Sequence, residues 1–144
     1  MIKEIRENPL VSVLLNCYNA QDTISKAIKS VLSQTYKNIE LIVWDDASKD
    51  KTLEIVKSFK DKRVKLFENN FNIGLGKSRL KAIKELNGEL ISIIDADDFY
   101  ENEKIEKQVS VFQKNPEVSI CATWSKIFDE NFKKLYFFES NATS

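Results

Sequence analysis

Short apolar runs alternate along this chain with stretches whose apolar residues recur every three or four positions. The first pattern predicts buried strands and the second amphipathic helices. Strands are expected at residues 10–15, 39–44, 64–67, 90–94 and 118–124, with a sixth at 135–138. Between the first two, Asp22 is expected to cap a helix carrying Ile24, Ala27, Ile28, Val31 and Leu32 on one face. Asp50 opens a helix with Leu53, Val56 and Phe59. A polar loop over residues 68–74 leads to a helix whose apolar positions are Leu75, Leu80, Ile83 and Leu86, and Asn87-Gly88 is expected to give it a left-handed C-cap. A last helix starts near Asn102, carries Ile105, Val109 and Phe112, and ends at Pro116.

Strands alternating with helices imply an α/β fold with a mostly parallel central sheet and helices on both faces. Right-handed crossovers bring the C-terminal ends of the strands to one edge, where such sheets bind ligands. Tyr18-Asn19, Asp45-Asp46 and Asp95 to Asp98 all follow strand ends, so they are expected to share one crevice.

The chain has 144 residues, the size of one domain. Lys+Arg and Asp+Glu are both 22, so the formal net charge is zero, and no basic excess points to a nucleic-acid partner. No apolar run reaches the ~20 residues of a membrane span, and residues 1–7 do not read as a signal peptide. Cys17 and Cys121 lie far apart and read as reduced thiols, which points to the cytoplasm. The sequon Asn141-Ala142-Thr143 then reads as chance. With no histidine, Ser-His-Asp and Cys-His nucleophile systems and His-ligated zinc are excluded.

Asp95-Ala96-Asp97-Asp98 carries most of the chemistry. Two carboxylates about 5 Å apart repel by about 3 kcal/mol at an effective dielectric near 20. A hard cation removes that cost. Mg²⁺ or Mn²⁺, held by one or two carboxylates and completed by substrate phosphates, fits. The alternative is an acidic N-cap to the helix near Asn102. Gly76-Lys77-Ser78 resembles the end of a phosphate-binding P-loop, but Phe71 stands where that motif needs its first glycine. Gly74-Leu75-Gly76 fails as a dinucleotide fingerprint because Arg79 occupies the third glycine position. What remains is a glycine loop opening a helix, with Lys77 and Arg79 available to an anion, or a solvated basic first turn.

Five blocks, in order and spacing, resemble family 2 glycosyltransferases of the GT-A fold over residues 9–128. They are Val11 through Asn19, Ser33-Gln34-Thr35-Tyr36, Glu40 through Asp50, Asn72 through Arg79, and Gly88-Glu89 with Asp95 to Asp98. The resemblance implies a Rossmann-like GT-A donor domain after an N-terminal extension (1–8), with an incomplete acceptor-side region at 129–144. It implies nucleotide-sugar binding by Asn16, Tyr18, Asp46, Lys77, Arg79, Asp95 and Ala96. Tyr18 is expected to pack on the base, and Asp46 to accept the imide proton of uracil. Asp45 is expected either to share that role or to stabilise its loop. Asp97, with Asp95, is expected to hold Mn²⁺ or Mg²⁺, with Asp98 close behind.

The implied reaction is inverting transfer from a nucleotide-diphosphate sugar, UDP-sugar favoured, to a glycan or lipid-linked acceptor in polysaccharide biosynthesis. The catalytic base is expected beyond Ser144. The implied location is cytoplasmic, with a peripheral position at the inner face of the membrane as a variant. Two positions depart from the family pattern: Asn16 stands where proline is common, and Leu80 where asparagine often follows the arginine. The competing readings are a domain that binds nucleotide sugar without transferring it, and a sugar nucleotidyltransferase. The latter's glycine-rich loop after the first strand is missing from residues 16–21.

Overall fold

A computed structural model describes residues 6–129 and 133–138. The N-terminal extension lies partly outside the described residues, and the sequon at 141–143 lies wholly outside them. The element order is β1 (Val11–Cys17), α1 (Ile24–Leu32), β2 (Ile39–Asp45), α2 (Thr52–Ser58), β3 (Val64–Glu68), α3 (Leu75–Ala82), β4 (Leu90–Asp95), α4 (Lys104–Lys114), β5 (Ser125–Phe128) and β6 (Lys134–Phe138). A single 3₁₀ turn, Ile83–Glu85, continues α3. Strands β1 to β4 form a parallel sheet in the order β3-β2-β1-β4, and β5 and β6 form a separate antiparallel pair. The expected mostly parallel α/β architecture is what the structure shows.

Alternation along the strands divides the core between the two faces of the sheet. Val13 and Leu15 of β1, Leu41 and Val43 of β2 and Ile94 of β4 meet Ile24, Ile28, Val56, Ile105 and Val109 from α1, α2 and α4. On the opposite face Leu14, Ile42 and Trp44 meet Ala82 of α3, and Trp44 stacks on Phe67 with ring centroids 5.3 Å apart. The order of strands turns back at β1. The crevice at its C-terminal end, between β1 and β4, is the switch point where open α/β sheets bind ligands.

Four expectations about local structure are corrected. Residues 118–124 form no strand; the strand is β5, starting at Ser125, because the run finds no ladder partner in the sheet. The N-cap of α1 is Thr23 rather than Asp22, and no side chain bonds the helix end. Helix α3 buries Ser78 and Ala82, while Leu75, Leu80 and Ile83 are exposed. Its tight approach to the sheet favours small residues, so the apolar period marked the wrong face. Asn87-Gly88 forms no left-handed cap, since the positive-φ residues among the described ones are Asn19, Ala47 and Gly74. Gly88 instead serves a close approach to β1.

That approach sits beside a buried carboxylate. Glu40 on β2 accepts from Ser12 Oγ, from the backbone N–H of Asn87 and from Lys65 Nζ at 2.8 Å. Ser12 Oγ in turn accepts the Gly88 N–H at 2.7 Å. Burial alone raises the Glu40 pKa, but bonds from Lys65, Ser12 and Asn87 outweigh it and hold the group at about 2. A lowered folded-state pKa means stability that is complete above the unfolded value, near 4.3, and lost as pH falls towards 2. Acid unfolding of the wild type is therefore expected to draw about 2 kcal/mol from this group, after discounting for the half-exposed Lys65. Glu40→Gln should flatten the stability curve between those pH values in denaturant titrations. A variant curve parallel to wild type would refute the linkage.

Candidate nucleotide-sugar site

Two loops at the C-terminal edge are tied together through their side chains. Asn19 N–H donates to Ser48 Oγ, Lys49 N–H donates to Asn19 Oδ1, and Ala20 N–H donates to Thr52 Oγ1. Asp50 accepts the N–H groups of Gln21 and Thr52, so it steadies the start of α2 from just outside it. Asn19 (φ 49°) and Ala47 (φ 62°) sit in the left-handed region, one in each loop. Strained residues of this kind concentrate where a surface is shaped for function.

Asp45 is fully buried and accepts from Ser48 N–H, Ser48 Oγ and Cys17 Sγ, so it holds the loop after β2. The Cys17 thiol is pushed up by burial and by the Asp45 charge, which keeps it an unreactive neutral thiol. Asp46 reaches the other way. It accepts Asn69 Nδ2 at 2.8 Å, Ile73 N–H at 2.9 Å and Gly74 N–H at 2.8 Å. Burial raises its pKa, but these donors outweigh burial and hold it below the ordinary carboxylate value. Gly74, at φ 85°, turns the chain into α3. Asp46→Asn should loosen residues 69–74, read as faster amide exchange at Ile73 and Gly74. Unchanged protection there would show that the loop stands without the carboxylate.

These elements enclose a cavity of about 300 Å³ lined by Asn16, Cys17, Tyr18, Asp46, Asn72, Gly74, Leu75 and Ser78. Tyr18 is half-exposed at its edge. Asp95 ends β4 beside Asn16 in register, and Arg79 Nη2 donates to its Oδ1 at 3.1 Å. Lys77 is exposed in the first turn of α3, and Ala96 is half-buried in the turn after β4. Asp97 is exposed and makes no hydrogen bond or ion pair with the described residues. The Asp98 carboxyl is pushed up by burial and by repulsion from Asp97 and Asp95.

Crowded carboxylates with one member free are a hard-oxygen donor set that a divalent cation would relieve. Among the described residues no three His, Cys, Asp or Glu side chains form a closed metal cage. The larger groove, about 1190 Å³, runs beside β4 and α4 to residues 119–129; it includes Asp97, Asp98, Lys104 and Trp124.

The sequence signature of Glycosyl transferase family 2 matches residues 12–138. The chain belongs to this family. Among relatives of the family 2 chain, an uncharacterised glycosyltransferase of Haemophilus influenzae is 42% identical over 109 residues, 74% of this chain and 44% of that protein. The Escherichia coli UDP-Glc:alpha-D-GlcNAc-diphosphoundecaprenol beta-1,3-glucosyltransferase WfgD is 44% identical over 106 residues, 74% of this chain and 42% of that protein. The family 2 chain thus spans under half the length of these relatives.

Among solved structures, residues 1–349 of Staphylococcus aureus TarS in complex with UDP-GlcNAc superpose with a TM-score of 0.71 at 29% identity. The match covers 74% of this chain and 32% of that one. The mannosyltransferase PcManGT of Pyrobaculum calidifontis, in complex with GDP-Man and Mn²⁺, gives a TM-score of 0.68 at 25% identity, covering 73% and 32%. The fold is that of the GT-A glycosyltransferases.

Proposed function

We propose that this chain forms the donor-binding part of a glycosyltransferase that uses a nucleotide-diphosphate sugar, UDP-sugar favoured. The observation that carries the reading is the Tyr18 cavity at the sheet's switch point, whose wall residue Asn16 pairs in register with Asp95, the first of three aspartates within four residues. The cavity takes the nucleoside, with Tyr18 at the base and the Asp46-held loop as a wall. Arg79 keeps Asp95 in place, and Lys77 offers charge to the phosphates. Asp97, with Asp95, is the metal-binding pair, and Asp98 stands close behind. When bound there, a divalent cation such as Mn²⁺ or Mg²⁺ supplies electrostatic stabilisation of the departing diphosphate.

The reaction in this reading is inverting: a carboxylate base deprotonates an acceptor hydroxyl, which attacks the anomeric carbon from the face opposite the diphosphate. We assign that base to the part of the relatives that this chain does not span. The complex of TarS with UDP-GlcNAc and the name of WfgD support a UDP-sugar donor, and WfgD's name supports a lipid-linked acceptor for polysaccharide synthesis. The Mn²⁺ of PcManGT supports a divalent metal. The reading places the protein in the cytoplasm, peripheral to the inner face of a membrane where a lipid-linked acceptor would be met. Among the described residues no helix is long and apolar enough to cross one.

Calorimetric titration of the chain with UDP, with and without Mn²⁺, tests the donor site, with CDP and GDP as controls. UDP is expected to bind most tightly, and Mn²⁺ to tighten it. A folded chain that binds none of the three overturns the reading.

A further inference from the structure

Tyr100 stands two residues past the last of the three aspartates. It is only 8% exposed, whereas Asp97 is open to solvent. Its ring belongs to the core that α1 and α4 make with the sheet, in one cluster with Ile94, Ile105 and Val109. From there the side chain turns back to the strand that precedes the aspartates. The phenol donates to Ile93 O at 2.7 Å and lies 2.7 Å from Ser92 Oγ, both on β4. The backbone N–H of Tyr100 donates to Ser30 Oγ of α1 at 3.0 Å, and that hydroxyl donates in turn to Ala27 O. A buried phenol with both its bonds made, and with its own backbone bonded to a helix, is a fixed point.

The other fixed point is Asp95, which ends β4 in register with Asn16 of the fully buried β1. Between the two the chain makes a turn, with Asp98 N–H donating to Asp95 O at 3.1 Å. The phenol ties the far end of this loop to the strand that supplies its near end, so residues 93–100 close into a ring. Asp97 projects from that ring and makes no hydrogen bond or ion pair with the described residues. Its place is therefore set by the ring and not by a partner of its own. Resting on the reading of the aspartates as a metal-binding pair, we propose that Tyr100 is the positioning residue of this loop. Its phenol, bonded to Ser92 and Ile93, holds Asp97 where a divalent cation would share it with Asp95. Groups behind the ligands of a metal fix their orientation and govern affinity in this way. The demand on such a ring depends on the ion. Mg²⁺ requires near-ideal octahedral geometry, while Ca²⁺ accepts a loose one.

The test compares wild type, Tyr100→Phe and Ser92→Ala by calorimetric titration with UDP in the absence of metal, with Mg²⁺ and with Ca²⁺. Tyr100→Phe keeps the ring in the core and loses both phenol bonds, while Ser92→Ala loses one of them. The gain in UDP affinity that Mg²⁺ brings is expected to fall roughly tenfold in Tyr100→Phe, and by less in Ser92→Ala. The gain from Ca²⁺ and the affinity without metal should change little. In the metal-free chain, amide exchange at Asp98, whose N–H closes the turn, should be faster in Tyr100→Phe than in wild type. A merely structural Tyr100 would lower the unfolding midpoint and leave the Mg²⁺ gain as it is in wild type, and that result overturns the proposal. Equal losses with Mg²⁺ and Ca²⁺ also overturn it, because they report a damaged fold and not a displaced ligand. A wild type that binds UDP but gains nothing from either cation removes the metal-pair reading and this inference with it, while the nucleotide site itself stands.

Discussion

Asp97→Ala is expected to abolish the effect of Mn²⁺ on UDP binding while leaving the fold unchanged. The residue is exposed and bonded to nothing among the described residues, so its removal costs no packing and no hydrogen bond. What it removes is charge. The Asp98 carboxyl is raised by burial, by Asp97 and by Asp95, so the three aspartates repel in the absence of a cation. Asp95 has Arg79 to balance it, which leaves Asp97 as the uncompensated carboxylate. Without it, a cation bridging protein to diphosphate keeps at most one firm carboxylate. The Mn²⁺-dependent gain in affinity should fall on the order of tenfold or more. Affinity without metal should be little changed or slightly improved, since a negative charge near the phosphates has gone. Calorimetry at matched ionic strength reads both arms. A variant that keeps the wild-type response to Mn²⁺ sinks the assignment of Asp97 as a metal ligand.

Strands β1 and β2 were legible because each is buried on both faces and reads as a nearly continuous apolar run. Val11–Cys17 and Ile39–Asp45 could be placed to within a residue or two. The loops that follow them carry the candidate residues, and parallel topology sends those loops to one edge. That convergence needed only strand–helix alternation. Residues 118–124 misled because an alternating run predicts a strand only if a partner edge is available, and periodicity says nothing about partners. Helix α3 misled for a related reason. Leu75, Leu80 and Ile83 mark an exposed face, while the buried residues are Ser78 and Ala82, which carry almost no hydrophobic signal, and Ala82 packs on β1 and β2.

Within the candidate site, residue type pointed to loops that the structure brings to one edge, without revealing how each group is bonded. Asp45 and Asp46 are adjacent and chemically identical, yet strand pleating sends one into the loop after β2 and the other across to residues 69–74. Asn69 was not singled out from sequence at all, although its amide links Asp46 to Ser78 and its Oδ1 accepts from Lys81. A lone asparagine in a polar loop gives no signal of that kind. The unpaired state of the buried Asn16 carboxamide is also invisible to sequence, because it depends on what the neighbouring strands place beside it.

Gly88→Ala is expected to destabilise the fold by about 3 kcal/mol or more, the upper range for overpacking. A Cβ built on Gly88 would lie 2.5 Å from Ser12 N, 2.6 Å from Ser12 Oγ and 2.7 Å from Leu10 O. Two of those atoms are backbone of β1 and its approach, and they are fixed by their own bonds: Leu10 O accepts Glu89 N–H at 2.9 Å. The third belongs to the hydroxyl that receives the Gly88 N–H and reaches Glu40. No side chain can swing away to make room, so β4 must lift from β1 at its first rung, where Val11 pairs with Leu90. The far end of that same pairing sets Asn16 beside Asp95, so the damage should reach the site. Gly76→Ala is the matched control. Nothing lies within 4 Å of its Cβ, and its place in the first turn of α3 should make alanine neutral or stabilising by up to about 1 kcal/mol. Denaturant unfolding of both variants checks the pair. Equal midpoints for Gly88→Ala and wild type would mean that β1 and β4 yield at that rung, and that glycine there is a convenience of the turn rather than a condition of the sheet.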